Sequence, residues 1–465
     1  MKKLLFIMLL IFSIITLSGC KNKEKDSNYN DQNDQSTNKD TDSNYNDQND
    51  QSTYRDTDLK YLLLSKSEEN QKYNNYVKYK EFVSLLGSFS TDLSESMYKE
   101  FNANYDRITV SPISIYMALA MATGVAEKDA QEELVNLLGI PYEDIMEYTK
   151  YLYSRLNKER YDEDNKVISS LLLNNSIWLN NILDYKNEGL ELLKNSFYAD
   201  SYSVPFTTDN ELANKAVGDF VYRSTKGLID SKYEFDTSTL FLLINTLYLK
   251  DVWNNFGDEL NYTKDLYNFI NKNNTISSIN LLEGYYQQGQ VQKGNGFEYF
   301  YTKTVSNLNI YFIKPTTKNI DEIYTSQNLN LILNTQEYGL FNNDLKEEYY
   351  TRCLFPEFDA SFDEDIVPFL TKEYGISKIF RTDVANFNKV TDVNAYVSQV
   401  IHQTKLDVNK KGIEGAAVTI IVNAGESAPF DEYTKIYSDF IIDQSFGFMI
   451  VYDDTILFSG VVNNL

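Results

Sequence analysis

Residues 112 to 122, PISIYMALAMA, are apolar almost without interruption, and Pro112 follows directly on Ser111. A run of this kind predicts a helix buried on all sides, because proline is tolerated in a first helical turn. Residues 128 to 138, KDAQEELVNLL, read differently: Ala130, Leu134, Leu137 and Leu138 share one helical face, with charged residues on the other. Later runs are rich in β-branched and aromatic residues. SLLLNNSIWLN (170–180), LFLLINTLYLK (240–250), LNIYFIKP (308–315) and FGFMIVYDDTILFSGVVN (446–463) predict strands, the last run being two strands joined by a tight Asp453–Asp454 turn. Helices clustered early and strands clustered late favour an α+β fold.

One stretch resists a single assignment. Ile413 to Val422, within KGIEGAAVTIIVNAGESAPF (411–430), is almost uncharged and strong in β character, yet it lies between the polar segments KLDVNKK and NAGESAPFDEY. Its residues suit the inside of a sheet. The glycines around it and Pro429 beyond it suit an exposed, mobile segment. Two readings stay open: a plain buried strand, or a segment exposed in one state and buried in another.

Composition bounds the rest. The 465 residues, 42% hydrophobic and 14% aromatic, can build a sizeable core. A net charge of −24 argues against nucleic acid or an anionic membrane surface as partner, since both would repel the chain. The first twenty residues, MKKLLFIMLLIFSIITLSGC, have the two lysines and apolar run of a secretory signal. Leu17-Ser18-Gly19-Cys20 resembles the bacterial lipobox, which implies cleavage after residue 19 and a lipid on Cys20. The expected location is the bacterial cell surface, held to the membrane through that lipid alone. A sixteen-residue duplication follows, DSNYNDQNDQSTNKDT (26–41) and DSNYNDQNDQSTYRDT (42–57), with too few aliphatic residues for a core. Residues 20–75 read as a tether, spanning roughly 40 Å as a random coil, and 76–465 as one domain. With Cys20 acylated, Cys353 has no disulfide partner and reads as a small core residue.

Chemistry is excluded more readily than found. A single histidine, His402, rules out multi-histidine zinc sites, and no metal or cofactor site is predicted. Walker loop, GxSxG elbow, paired CxxC and dinucleotide fingerprint are all missing from the sequence. A catalytic triad could use only His402, in VSQVIHQTKLDV, where Val397, Val400 and His402 do not alternate as a clean strand and no nucleophile turn is near. A hydrogen-bonded structural histidine is the simpler reading.

Several long segments, in order, resemble the serpin family. They are VSPISIYMALAMATGVAEKDAQEELVNLL, NNSIWLNN, FLLINTLYLKDVWNNFGDE, CLFPEFDASFDEDIVPFLTKEYGISKIF (with Tyr374 where leucine is usual), AYVSQVIHQTKLDVNKKGIEGAAVT and TILFSGVVNNL. The resemblance implies a serpin-like single domain with a large central mixed sheet, further sheets, an early helical cluster and an exposed reactive loop at about 412–436. It also resolves the ambiguous stretch, because in inhibitory serpins that loop is cut by a protease and then enters the central sheet as a new strand, a case of strand addition already well described. The implied function is suicide inhibition of a serine or cysteine endopeptidase, not enzymatic activity. The partner would be that endopeptidase, held as a covalent acyl complex by a monomer and dragged about 50 Å by some 14 or 15 inserted residues.

The resemblance also implies roles for individual residues. The hinge would be Gly412, Ile413, Glu414, Gly415, Ala416, Ala417, Val418 and Thr419. Ser111, Ser114, Asn245 and His402 match a polar shutter beneath the sheet, and Trp253 matches the breach where insertion begins. By alternation Ile413, Gly415, Ala417, Thr419, Ile421 and Asn423 share one face of the inserted strand, with Glu414 on the other. Counting on from Gly412 sets the reactive bond at Glu426–Ser427, whereas counting back from Phe446 lands near Thr434 and Lys435, and the first count is preferred because extra length beyond the cut only lengthens a surface connection. Lys410 and Lys411 stand where acidic residues are usual, Ile413 where Thr or Ser is commoner, and Gly415 adds flexibility. The alternative on the same fold is a non-inhibitory surface binding lipoprotein.

Overall fold

The computed structural model describes residues 62–67, 76–162, 164–254, 259–335, 339–413 and 433–465. All of them fall in one compact unit beginning at Arg55. The signal segment, Cys20 and the duplicated repeat lie outside these residues, as do Glu414 to Thr419, Glu426 and Ser427. Elements are numbered in chain order.

The central sheet grows from two long strands that are buried along most of their length on both faces, as expected of strands covered on both sides. These are β4 (Val167–Asn180) and β6 (Phe241–Val252), paired antiparallel from Ser170↔Lys250 to Leu179↔Phe241. β5 (Ala199–Val204) lies parallel on the outer side of β4, and β1 (Leu62–Ser65) pairs antiparallel with β5. Four residues of the stretch read as tether therefore belong to the sheet, and Lys66 and the Ser67 amide both bind the buried Asp200 carboxylate, at 2.7 and 2.8 Å. A short β3 (Lys158–Tyr161) folds back on β4. Beyond β6 come β18 (Gly412–Ile413), β17 (Ile401–Asn409) and β16 (Phe358–Asp365).

A single bridge, Ser361↔Ile108, continues the path into a second, all-antiparallel region. Its strands run in the order β2 (Arg107–Val110), β21 (Thr455–Val462), β20 (Phe446–Tyr452), β13 (Asn309–Pro315), β12 (Phe297–Lys303) and β11 (Gln292–Lys293). The β20–β21 turn has Asp453 and Asp454 at φ of 50° and 62°, the two positive values that a twist-matched two-residue hairpin requires. A third sheet contains β14 (Phe341–Asn342), β15 (Glu347–Phe355), β10 (Leu282–Gln288), β7 (Asn261–Tyr262) and β19 (Thr434–Ile441), and β8 (Tyr267–Ile270) pairs with β9 (Ile276–Ile279).

Helices α1 (Tyr76–Phe101), α2 (Pro112–Val125), α3 (Lys128–Leu138), α4 (Tyr142–Leu156), α5 (Asn187–Phe197) and α6 (Asn210–Ser224) precede β6, and α7 (Ile320–Ile323), α8 (Ser326–Leu333) and α9 (Val367–Tyr374) come late. Every residue of α2 is buried. On α3 the buried residues are Ala130, Leu134 and Leu138, with Leu137 half-buried at the edge of that face. The α+β class holds, but the clustering is looser than the sequence pattern suggested: β2, β4, β5 and β6 all lie in the first 252 residues. The alternation missing around Val397 and Val400 appears once the strand begins, since β17 buries His402, Thr404, Leu406 and Val408 in turn. Cys353 is buried, donates to the Tyr301 carbonyl at 3.4 Å, and its thiol is pushed far up by burial, which fits an inert core residue.

Candidate functional site

The site is a seam between β6 and β17. Both strands are antiparallel to β18, so they are parallel to each other. β18 holds them apart at one end through Gly412↔Val252 and Ile413↔Asp251 on one side and Asn409↔Gly412 and Val408↔Ile413 on the other. At the far end a lone parallel bridge joins Phe241 to Val397, with the Ser398 amide donating to the Phe241 carbonyl at 3.4 Å. Between these points the two strands share no backbone ladder among the described residues.

At the breach, the sequence forces the chain into the sheet by removing a side chain. Gly412 has φ of +148°, and a Cβ there would sit 2.1 Å from the Asp251 carbonyl oxygen, so only glycine can make this entry. Ile413 then packs fully buried. Trp253, 1% exposed, donates its indole N–H to the Asn409 carbonyl at 2.7 Å and packs edge-on to Phe355, clamping the turn that launches β18. Trp253, expected at the breach, lies beside the entry of β18 into the sheet.

Of the two lysines of that turn, anomalous in sequence, Lys410 finds acidic partners, while the Lys411 amide donates to Asn409 Oδ1 at 2.9 Å. Lys410 pairs with Glu259 at 2.7 Å, and its amide donates to Glu357 at 2.8 Å. The Glu259 carboxylate raises the Lys410 ammonium, and Lys410 in turn lowers Glu259.

Sequence reading missed Asp251. Its carboxyl is 1% exposed, accepts from Thr304 Oγ1 at 2.5 Å and from Ser306 Oγ at 3.3 Å, and Ser306 also donates to Ser169 at 2.7 Å. Burial pushes it up to about 7 against the opposing pull of those hydrogen bonds. The cluster ties the end of β6 to the β12–β13 turn and to β4. An aspartate inside the apolar run LYLKDVW was the available signal.

Of the four predicted shutter residues, three meet. The Ser111 amide donates to His402 Nε2 at 3.1 Å, and the Ser111 and Ser114 hydroxyls lie 2.9 Å apart. Accepting at Nε2 requires a neutral ring, and burial holds the imidazole down to about 3. Asn245 does not join them. It donates to Asn175 Oδ1 at 2.5 Å on β4, and Asn175 donates to the Phe197 carbonyl at 2.6 Å. Asn175 and Thr404, whose hydroxyl donates to the Thr109 carbonyl at 2.5 Å, are buried polar residues of β4 and β17 that sequence reading did not name.

The seam itself is under-satisfied. Asn245 Oδ1, Thr246 Oγ1, Ser398 Oγ and Gln399 Oε1 are buried without a hydrogen-bond partner among the described residues. A cavity of about 20 Å³, room for about one water, lies between Asn245 and Thr246 on one side and Ile401 and Gln403 on the other. Buried polar atoms without partners are uncommon and costly.

This geometry defines a class: α+β proteins whose central sheet, among the described residues, is unladdered along one seam and is entered at one end by a two-residue strand, Gly412–Ile413. A family description, Serpin (serine protease inhibitor), matches residues 87–465, and the chain belongs to that family. Rat alpha-1-antiproteinase is 25% identical over 391 residues, which span 80% of this chain and 86% of that protein. Human neuroserpin is 27% identical, with 80% and 90% spanned, and an uncharacterized serpin-like protein of Methanosarcina acetivorans is 25% identical, with 83% and 86% spanned. Among solved structures, native tengpin superposes with a TM-score of 0.67 at 20% identity over 87% of this chain and all of that one. Thyroxine-binding globulin in complex with thyroxine gives 0.65 at 22% identity, over 83% and 99%. At such identity these structures speak for the fold alone. Serpins are typically protease inhibitors rather than enzymes, and thyroxine-binding globulin is one such fold that binds thyroxine.

Proposed function

We propose that the protein is a suicide inhibitor of a serine or cysteine endopeptidase, trapping the acyl-enzyme as its cleaved loop enters the seam. The observation that carries this is the seating of Gly412 and Ile413 between β6 and β17, in register with both. Extending that register one residue per rung brings residue 423 opposite Phe241 and residue 424 opposite Val397, which are themselves bridge partners. The seam therefore accepts about ten further residues before it closes. Inserted, Gly415, Ala417 and Thr419 would lie opposite Leu406, Thr404 and His402, all buried, and none of the three carries a charge. Glu414 would point to the other face. The gain is a full backbone ladder along two strand edges that lack one among the described residues.

The seam's length favours Glu426–Ser427 as the reactive bond, because the cut then falls two or three residues beyond the last rung. The other count is disfavoured by pairing: Thr434, Lys435 and Ile436 already lie in β19, opposite Glu347, Glu348 and Tyr349 of β15. A protease cleft needs an extended segment free of such partners. In this reading the domain acts as a monomer outside the cell, anchored through a lipid on Cys20.

The test is incubation of the domain with a glutamyl, a trypsin-like and a papain-like endopeptidase, followed by denaturing gels and mass spectrometry. A complex that survives denaturant, with a C-terminal fragment beginning at Ser427, supports the proposal. Loop cleavage by all three without such a complex, and without a rise in thermal stability, would make the protein a non-inhibitory member.

A further inference from the structure

The strand that follows the loop carries an open aromatic face. The first six residues of β19 are exposed, although the strand is laddered to β15 from Glu347↔Thr434 to Leu354↔Ile441. Tyr437, 56% exposed, lies edge-on to Tyr286 with ring centres 4.9 Å apart and stacks on Tyr350 at 5.4 Å. The rings are fixed from below. Tyr350 donates to Glu348 at 2.8 Å, and Gln288 donates to the same oxygen at 2.8 Å. Arg352 grips Asp439 in a fork of two 3.0 Å bonds while its guanidinium lies 5.3 Å from the Tyr286 ring centre. The Lys435 ammonium sits 5.4 Å over Tyr350, with no carboxylate at ion-pair distance among the described residues.

Large rings held rigid on an exposed face lose little conformational freedom when a partner covers them. Tyrosine and arginine in this arrangement are also the residues that dominate binding energy at protein interfaces. Location points to the occupant. From Ser427 to Thr434 the chain is seven residues long, so its reach is at most about 25 Å. A protease domain of some 220 residues has a radius of gyration near 17 Å and is therefore more than 40 Å across. Gripping a bond on so short a lead, it overhangs the start of β19. We propose that Tyr286, Tyr350 and Tyr437, with Lys435 and Arg352, form a docking surface for the target endopeptidase outside its catalytic cleft, facing an apolar patch with a carboxylate set to meet Lys435. This rests on the loop being a protease substrate, as inferred above.

The experiment measures kcat/KM for cleavage of the loop, using whichever of the three endopeptidases cuts the intact domain fastest. The substrates are the parent, the Tyr286→Ala/Tyr437→Ala double variant, Tyr437→Phe, Ile182→Ala (55% exposed, just past the opposite end of β4) and a free peptide spanning 412–436. A docking surface predicts at least a tenfold fall in the double variant, toward the free-peptide value, with Tyr437→Phe and Ile182→Ala close to the parent. Equal rates in parent and double variant would overturn it. Should the double variant fail to unfold cooperatively, Lys435→Glu replaces it with an expected loss of three- to tenfold, and no loss overturns the proposal. Because cleavage is read rather than trapping, a missing denaturant-resistant complex would count against inhibition alone and leave this comparison intact.

Discussion

The two edges of β6 make opposite use of the same strand. Toward β4 it is laddered without a break from Lys250 to Phe241 and reinforced by the Asn245–Asn175 amide pair. Toward β17, among the described residues, it has two rungs borrowed from β18, one bridge at Phe241, and buried polar atoms without a hydrogen-bond partner. One sequence, FLLINTLYLKDV, serves a finished interface and an unfinished one. Apolar side chains alone therefore do not decide whether a strand edge is closed; that depends on whether a partner of matching register has arrived.

The sharpest way to break the contrast is to spoil the open edge for its guest. Ala417→Arg would drive a charge opposite buried Thr404. Denaturing gels should show the covalent complex reduced at least about 100-fold while loop cleavage continues. Next in size is the clamp at the top of the seam. Trp253→Ala removes the bond to Asn409 and leaves a large void, and should cost about 3–5 kcal/mol by denaturant unfolding.

Proton linkage separates the two edges in another way. The unfolded chain protonates His402 near 6.5 while the native imidazole resists until about 3, so its contribution to stability is full above 6.5 and is lost as pH falls through that window. Asp251 has the opposite sign. Its native carboxyl holds a proton up to about 7 against 3.8 unfolded, a stabilisation that is present at low pH and lost as pH rises toward 7. Between roughly pH 4 and 6.5 the two slopes oppose each other. Asp251→Asn should therefore steepen the fall in unfolding free energy on acidification across that range, by up to about 1.4 kcal/mol per pH unit, and flatten the parent's decline near pH 7. Denaturant midpoints measured every half unit of pH check both. The smallest effect belongs to the finished edge: Asn175→Ala strands the Phe197 carbonyl and Asn245 and should cost about 1–3 kcal/mol by denaturant unfolding.

The sequence carried much of this because the relevant signals are local. Gly412, the apolar helix after Pro112 and the Asp453–Asp454 turn each state a backbone requirement in one or two residues. What stayed hidden depends on residues far apart in the chain. Lys410 looked like a defect until Glu259, some 150 residues earlier, lay beside it. Asn245 matched the shutter by position, yet its amide is taken by the neighbouring strand. β1, a short Leu-Leu-Leu-Ser run beyond the duplicated repeat, was read with the tether, and its place in the sheet depends on the edge of β5, some 140 residues later.

The position of the proposed cut relative to the weave of strands has one more consequence. β19, β20 and β21 all follow residue 427, and β20 is flanked by β13 and β21 while β21 is held by β2. A molecule nicked in the loop would keep its C-terminal piece through these ladders. It would travel as a two-chain protein heavier by one water, whose two pieces part only when the sheet unfolds.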